Sequence, residues 1–122
     1  MVMEMLMAAI MAVETGGERD PITSVGTDGR SYGILQITDI CRKDINRFSG
    51  EGFTRDDCFM VEKSKDMFRL YVTHYATERR LGRPPTYEDM SRIWNSGPNG
   101  WRKDCTLAYW FKVREWLDNN QE

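Results

Sequence analysis

Histidine is nearly missing from this chain. His74 stands alone among 122 residues, which excludes a zinc site built from several histidines and leaves any histidine-dependent nucleophile resting on one side chain. Cysteine is scarce as well: Cys41, Cys58 and Cys105 are widely spaced and form no CxxC pair. That excludes the dense disulfide framework of small secreted scaffolds and allows at most one bridge. The three are read as mainly buried thiols, with the redox compartment left open. Charge of one sign is not in excess either, since 17 Lys and Arg face 19 Asp and Glu for a net charge of -2. No general field attracts nucleic acid or anionic lipid, so binding to a polyanion would need a local patch. No apolar run approaches the ~20 residues of a membrane span. The opening stretch Met1–Val13 is apolar, but it carries Glu4, has no Lys or Arg, and runs into Glu14 rather than a small-residue cleavage site. It is therefore not expected to be a signal peptide, and any export signal lies outside this sequence or does not exist.

What is present is a globular composition of one-domain size: 40% apolar, 11% aromatic and 30% charged residues. The expectation is a single domain over residues 1–122, monomeric, with one hydrophobic core. Met3, Leu6, Ile10 and Val13 fall at helical spacing, and Gly16-Gly17 supplies the backbone freedom that ends such a helix, so Glu14 sits on its last turn. From Thr23 to Thr38, two short β-branched or aromatic runs flank Asp28-Gly29, a good hairpin turn signal, and a helix then begins near Thr38 or Asp39. Asp39 is an ordinary N-terminal helix residue on this reading.

Thr54 with Asp57 resembles a capping pair opening a long helix that reaches about Leu81 and stops at Gly82. Its inward stripe is Met60, Met67, Leu70 or Tyr71, and Tyr75, and His74 beside it is read as partly buried and structural. Thr86 caps a shorter helix that carries Met90, Ile93 and Trp94 on one face and ends at Ser96-Gly97-Pro98-Asn99-Gly100. A last helix runs from Thr106 to about Leu117. The sum is an α+β arrangement, mainly helical with one small β-hairpin.

With histidine and cysteine discounted, carboxylates are the available chemical tools. Glu14 ends an apolar helix just before a glycine pair that lets backbone or ligand come close. A carboxylic acid kept protonated by burial is what a glycosidase needs, because the departing sugar alkoxide is otherwise too basic to leave. The alternative is an acid that merely terminates a helix. Tyr32, Gln36, Trp94, Asn95 and Tyr109 supply the flat rings and amides that a sugar cleft uses, although Trp94 equally suits plain core packing.

The order of these parts resembles the lysozyme superfamily. Val-Glu-Thr-Gly-Gly, a hairpin and then Ser-Tyr-Gly-Ile-Leu-Gln-Ile are similar to the goose-type and lytic transglycosylase branches. In those branches a helix-terminal Glu followed by Ser or Thr precedes a Gly-x-x-Gln segment, matching Glu14, Thr15, Gly33 and Gln36. The block from Pro85 to Gly100, with Thr106 and Tyr109-Trp110, resembles the C-terminal half of invertebrate-type lysozymes. The resemblance implies a lysozyme-like fold and a muramidase acting on peptidoglycan glycan strands without metal or cofactor. Glu14 would be the general acid, Thr15, Tyr32, Gln36, Trp94 and Asn95 would contact the glycan, and Tyr109 would lie near the acid.

Hydrolysis of this type needs a second carboxylate, about 5 Å from the acid as a nucleophile or roughly 6.5 to 9.5 Å away as a base. Asp28 is the first candidate, Asp39 the second and Asp20 a distant third. Three alternatives stay open: a lytic transglycosylase using Glu14 alone, a silent glycan-binding domain, and chitin as the polymer. The chain departs from the resemblance in having few cysteines and no basic excess, which puts avidity for an anionic wall surface in doubt. The implied wall substrate places the action outside the cell, in the periplasm or after delivery by a phage.

Overall fold

The computed structural model describes residues 2–16 and 20–120. Six helices and one two-stranded antiparallel sheet are present among them: α1 (Val2–Thr15), β1 (Ser31–Tyr32), β2 (Ile37–Thr38), α2 (Asp39–Ser49), α3 (Val61–Tyr75), α4 (Glu78–Leu81), α5 (Tyr87–Ser96) and α6 (Leu107–Asn119). This is the expected mainly helical α+β class with a small hairpin. The chain divides into two compact units, Glu14–Leu70, and Met1–Val13 with Tyr71–Glu122.

Helix α1 ends at Thr15, followed by a turn residue at Gly16. Gly17, expected to share in ending the helix, lies outside the described residues. In the Glu14–Leu70 unit the hairpin is displaced by one turn from its expected position. The strands pair Ser31 with Thr38 and Tyr32 with Ile37 across a Gly33–Gln36 turn, while Asp28-Gly29 closes only a single bridge between Val25 and Tyr32. A positive φ explains the choice. Gly33 adopts φ 80 and Gln36 φ 52, and a Cβ on Gly33 would lie 1.8 Å from the Cys58 carbonyl oxygen. Only glycine fits that close approach.

Thr38 caps α2 as expected, its hydroxyl accepting from the Cys41 N–H at 3.1 Å. The Thr54–Asp57 capping pair also forms, with the Thr54 N–H donating to Asp57 at 2.8 Å. It opens a 3-10 turn, Asp56–Phe59, rather than the long helix. Met60 is extended at φ -102 and ψ 120 and half exposed, and the Ser64 hydroxyl donates to the Cys58 carbonyl at 2.8 Å, fixing the break. A second break follows α3, where Thr77 in extended conformation caps α4 through its side chain. The expected helix from Thr54 to Leu81 is thus a 3-10 turn and two helices.

The buried face of α3 is Ser64, Met67, Phe68, Tyr71 and Val72, at the i, i+3, i+4, i+7 spacing of one helical face. It excludes Met60. His74 is exposed, not partly buried, with its ring against Tyr75 at 4.6 Å. In the other unit, α5 begins with a full capping box between Thr86 and Asp89, worth about 1 kcal/mol. Helix α5 packs on α6 and on the Gly100–Arg102 turn, and Ile93, Val113 and Leu117 are buried. The three cysteines are free thiols: Cys58 is buried, Cys41 half-buried and Cys105 exposed, so the expectation of mainly buried thiols fails at Cys105. Burial pushes the Cys41 thiol up to about 12 and the Cys58 thiol up to about 11.

Candidate active site

Glu14 occupies the last turn of α1 and is half-buried, with Thr15 beside it buried at 7% exposure. The helix end is where the sequence places it. After the undescribed residues 17–19 the chain makes a 3-10 turn at Pro21–Thr23, with Asp20 exposed before it, and enters the hairpin.

Asp28 stands exposed on the Gly26–Gly29 turn. Its Oδ1 accepts from the Arg30 N–H at 3.0 Å, the local bond that makes aspartate a turn former, and Oδ2 has no hydrogen bond among the described residues. Asp39 is in the opposite situation. At the first turn of α2 its Oδ1 accepts from Arg42 and from the Arg55 Nε, each at 3.3 Å, and its Oδ2 accepts from Arg55 Nη2 at 2.5 Å. The Arg55 guanidinium holds this carboxyl below its usual range. Both oxygens are committed to arginines, which suits an anchor better than a water-activating base.

Tyr32 is gripped rather than open. The Arg55 guanidinium carbon lies 4.8 Å from its ring centroid, Phe59 meets it edge-on at 6.0 Å, and its hydroxyl donates to the Gly29 carbonyl at 3.1 Å. Gln36 is also engaged: Oε1 accepts from the Ser31 hydroxyl at 2.9 Å, and Nε2 donates to the Gly33 carbonyl at 2.8 Å and the Ser24 hydroxyl at 3.4 Å. The glutamine therefore ties three parts of the hairpin region together and leaves acceptor capacity on Oε1 for a ligand.

Sequence reading missed Arg55 and Arg42. Arg42 sends Nη1 to the Phe53 carbonyl at 3.1 Å, and Asn46 clamps the same residue by donating to Phe53 O and accepting from its N–H, each at 2.9 Å. Arg42 stands at the i, i+3 spacing from Asp39 within α2, the one signal that could have found it, whereas Arg55 and Phe53 reach their partners across loops with no periodicity. The same unit holds a concavity of about 330 Å³ between Phe53, Leu70 and the charged Glu51, Lys63, Asp66 and Arg69, whose mixed charges select no ligand sign.

The remaining predicted residues belong to the other unit. Trp94 on α5 is half-buried and meets Tyr71 edge-on at 5.6 Å, a packing contact of the kind expected for a core aromatic. Asn95 next to it is exposed, and Tyr109 on α6 is half-buried. Among the described residues no group of three or more His, Cys, Asp or Glu could hold a metal ion, and no helix is long and apolar enough to cross a membrane.

No family model matches this sequence, and no curated protein matches it. Solved structures do. The chain is similar to one in the crystal structure of Aeromonas hydrophila PliI in complex with Meretrix lusoria lysozyme, at 22% identity and a TM-score of 0.74 over 92% of this chain and 88% of that one. It is also similar to Tapes japonica lysozyme, at 26% identity and a TM-score of 0.70 over 90% of this chain and 87% of that one. The fold, helices with one small antiparallel hairpin, is lysozyme-like.

Proposed function

We propose that this chain is a peptidoglycan glycosidase of the lysozyme type, a single catalytic domain with Glu14 as its general acid. The observation that carries the reading is the fold likeness to Tapes japonica lysozyme along nine-tenths of the chain, together with a half-buried glutamate at the end of the helix that leads into the hairpin. The goose-type pattern of Glu14, Thr15, Gly33 and Gln36 and the invertebrate-type pattern of the C-terminal half both support it.

In the reaction, Glu14 donates its proton to the oxygen linking N-acetylmuramic acid to N-acetylglucosamine as the muramyl C1–O bond breaks. The N-acetylglucosamine leaves with a free 4-hydroxyl, and the muramyl carbon carries oxocarbenium-like charge. Asp28 is the second carboxylate, because its Oδ2 is open while both oxygens of Asp39 are occupied. It orients the attacking water or stabilises the charge; the water oxygen bonds to the muramyl C1, and the proton it releases restores the Glu14 carboxyl. Gln36 fixes the loop that carries Tyr32 and offers its acceptor to the glycan. Trp94, Asn95 and Tyr109 supply a second set of glycan-contacting groups. No metal or cofactor takes part.

Mass spectrometry of peptidoglycan digested with the purified protein tests this. Reducing muramyl ends that become scarce with Asp28→Asn support hydrolysis with the assigned pair. A 1,6-anhydromuramyl end, unaffected by Asp28→Asn, would mean that the muramyl 6-hydroxyl replaces water and that the protein is a lytic transglycosylase. No cleavage together with retained sedimentation on cell walls would make it a binding domain. Cleavage of chitin oligomers at an equal rate would remove the assignment to peptidoglycan.

A further inference from the structure

Asp28, the second carboxylate assigned above, is exposed on the Gly26–Gly29 turn, yet a glycosidase needs that group held at a set distance from its acid partner. The bonds within the turn are local. The Gly29 N–H donates to the Gly26 carbonyl and the Gly26 N–H to the Ser31 carbonyl, each at 2.8 Å, and the Arg30 N–H donates to Asp28 itself at 3.0 Å. These bonds shape the turn and join it to β1, but they do not tie its tip to anything outside the hairpin.

A line of side chains from α2 does. The Tyr32 hydroxyl donates to the Gly29 carbonyl at 3.1 Å, one residue from Asp28. The ring of Tyr32 is held by the Arg55 guanidinium, 4.8 Å from its centroid, and by the edge-on Phe59 at 6.0 Å. Arg55 is fixed in turn by the two oxygens of Asp39, at 3.3 and 2.5 Å. Its backbone precedes the 3-10 turn Asp56–Phe59, which the Ser64 hydroxyl pins to α3 through the Cys58 carbonyl at 2.8 Å. A guanidinium suits both tasks because it is planar: its face lies against a ring while its N–H edge meets a carboxylate. A ring gripped in this way is a poor platform for a sugar, but its hydroxyl is held in a fixed place.

We propose that Arg55 and Tyr32 are positioning residues: Arg55, anchored by Asp39, holds the Tyr32 ring so that its hydroxyl sets the Gly26–Gly29 turn and with it the Asp28 carboxylate. The inference rests on the reading of Asp28 as the second carboxylate, whereas the line of contacts from Asp39 to Gly29 does not. Tyr32 then acts through its hydroxyl and not as a surface on which a sugar stacks.

The test uses the full-length protein with Tyr32→Phe, which keeps the ring and removes the hydroxyl, and with Arg55→Gln, each alone and combined with Asp28→Asn. On soluble peptidoglycan fragments, Tyr32→Phe is expected to lower kcat about fivefold, the weight of one ordinary hydrogen bond, and to leave KM unchanged. With Asp28→Asn already present, the same substitution should cost less than about twofold, because the group it positions is gone. A raised KM with unchanged kcat would make Tyr32 a sugar contact, and equal losses in both backgrounds would make its role merely structural; either result overturns the proposal. Nitrogen-15 relaxation gives a readout that needs no activity. The Asp28 and Gly29 amides should show order parameters near the rigid value of about 0.85 in the parent and fall toward about 0.6 in Tyr32→Phe and Arg55→Gln, with α3 unchanged. A turn already mobile in the parent, or unchanged in both variants, would overturn the proposal. A parent that fails to cleave peptidoglycan would refute the muramidase reading instead, and the relaxation result would still decide whether these side chains hold the turn.

Discussion

Asp28 and Asp39 show how identical side chains diverge by environment. One oxygen of Asp28 is open on a turn, whereas Asp39 holds two arginines. Asp28→Asn is expected to lower the rate of wall cleavage by about 10²-fold or more, the scale of a positioned acid–base group. Asp39→Asn should reduce cleavage less and instead loosen Arg55 and Tyr32, read as increased proteolysis of the hairpin. A larger loss of rate from Asp39→Asn than from Asp28→Asn would reverse the assignment. Glycine has an equally local role at Gly33, where φ is 80 and a Cβ would collide with the Cys58 carbonyl. Gly33→Ala is expected to cost about 3 kcal/mol or more in urea unfolding, since a left-handed backbone and a backbone clash must both be accommodated. Glu14, Asp28 and Asp39 were legible in the sequence as candidates because helix ends and turn dipeptides have local signatures. Arg55, which decides how Asp39 and Tyr32 are used, was not, because its contacts with them are fixed only by the tertiary fold.

Elements were legible wherever a cap and a periodic face coincide. Helix α5 is the clearest: Thr86 and Asp89 form the capping box that the sequence announces. Asp89 is 1% exposed and also receives Arg83 through two bonds, at 2.6 and 2.9 Å. Burial pushes its pKa up, but the Arg83 and Thr86 donors outweigh it, so the carboxyl sits below its ordinary value. A depressed folded pKa stabilises the protein fully above the unfolded value near 3.9 and loses that contribution as pH falls through the folded pKa. Asp89→Asn should therefore cost about 2 kcal/mol at neutral pH and flatten the decline in stability below about pH 4, measured by urea midpoints across pH. An unchanged acid slope would contradict the role given to this carboxylate. The breaks on either side of α3 escaped the sequence because Met60, Ala76 and Thr77 carry no Gly or Pro signal. A serine hydroxyl on a carbonyl and a threonine cap interrupt the helix instead. The hairpin moved one turn because the strong Asp28-Gly29 signal competes with Gly33, whose close approach to Cys58 is long-range.

Over the whole molecule, composition alone argued against a zinc site of several histidines, a dense disulfide scaffold and a membrane-crossing helix, and the order of helix, hairpin and helices pointed to the lysozyme-like fold that the solved structures share. Charge was legible only as a total. The account stands on one proton donor. Its most direct test is the release of new sugar ends from purified peptidoglycan by the parent protein and by Glu14→Gln, with unfolding midpoints measured alongside. The predicted result is that the parent cleaves and the variant, equally stable, is slower by about 10²- to 10⁴-fold. A Glu14→Gln protein that cleaves within a few-fold of the parent rate would contradict it.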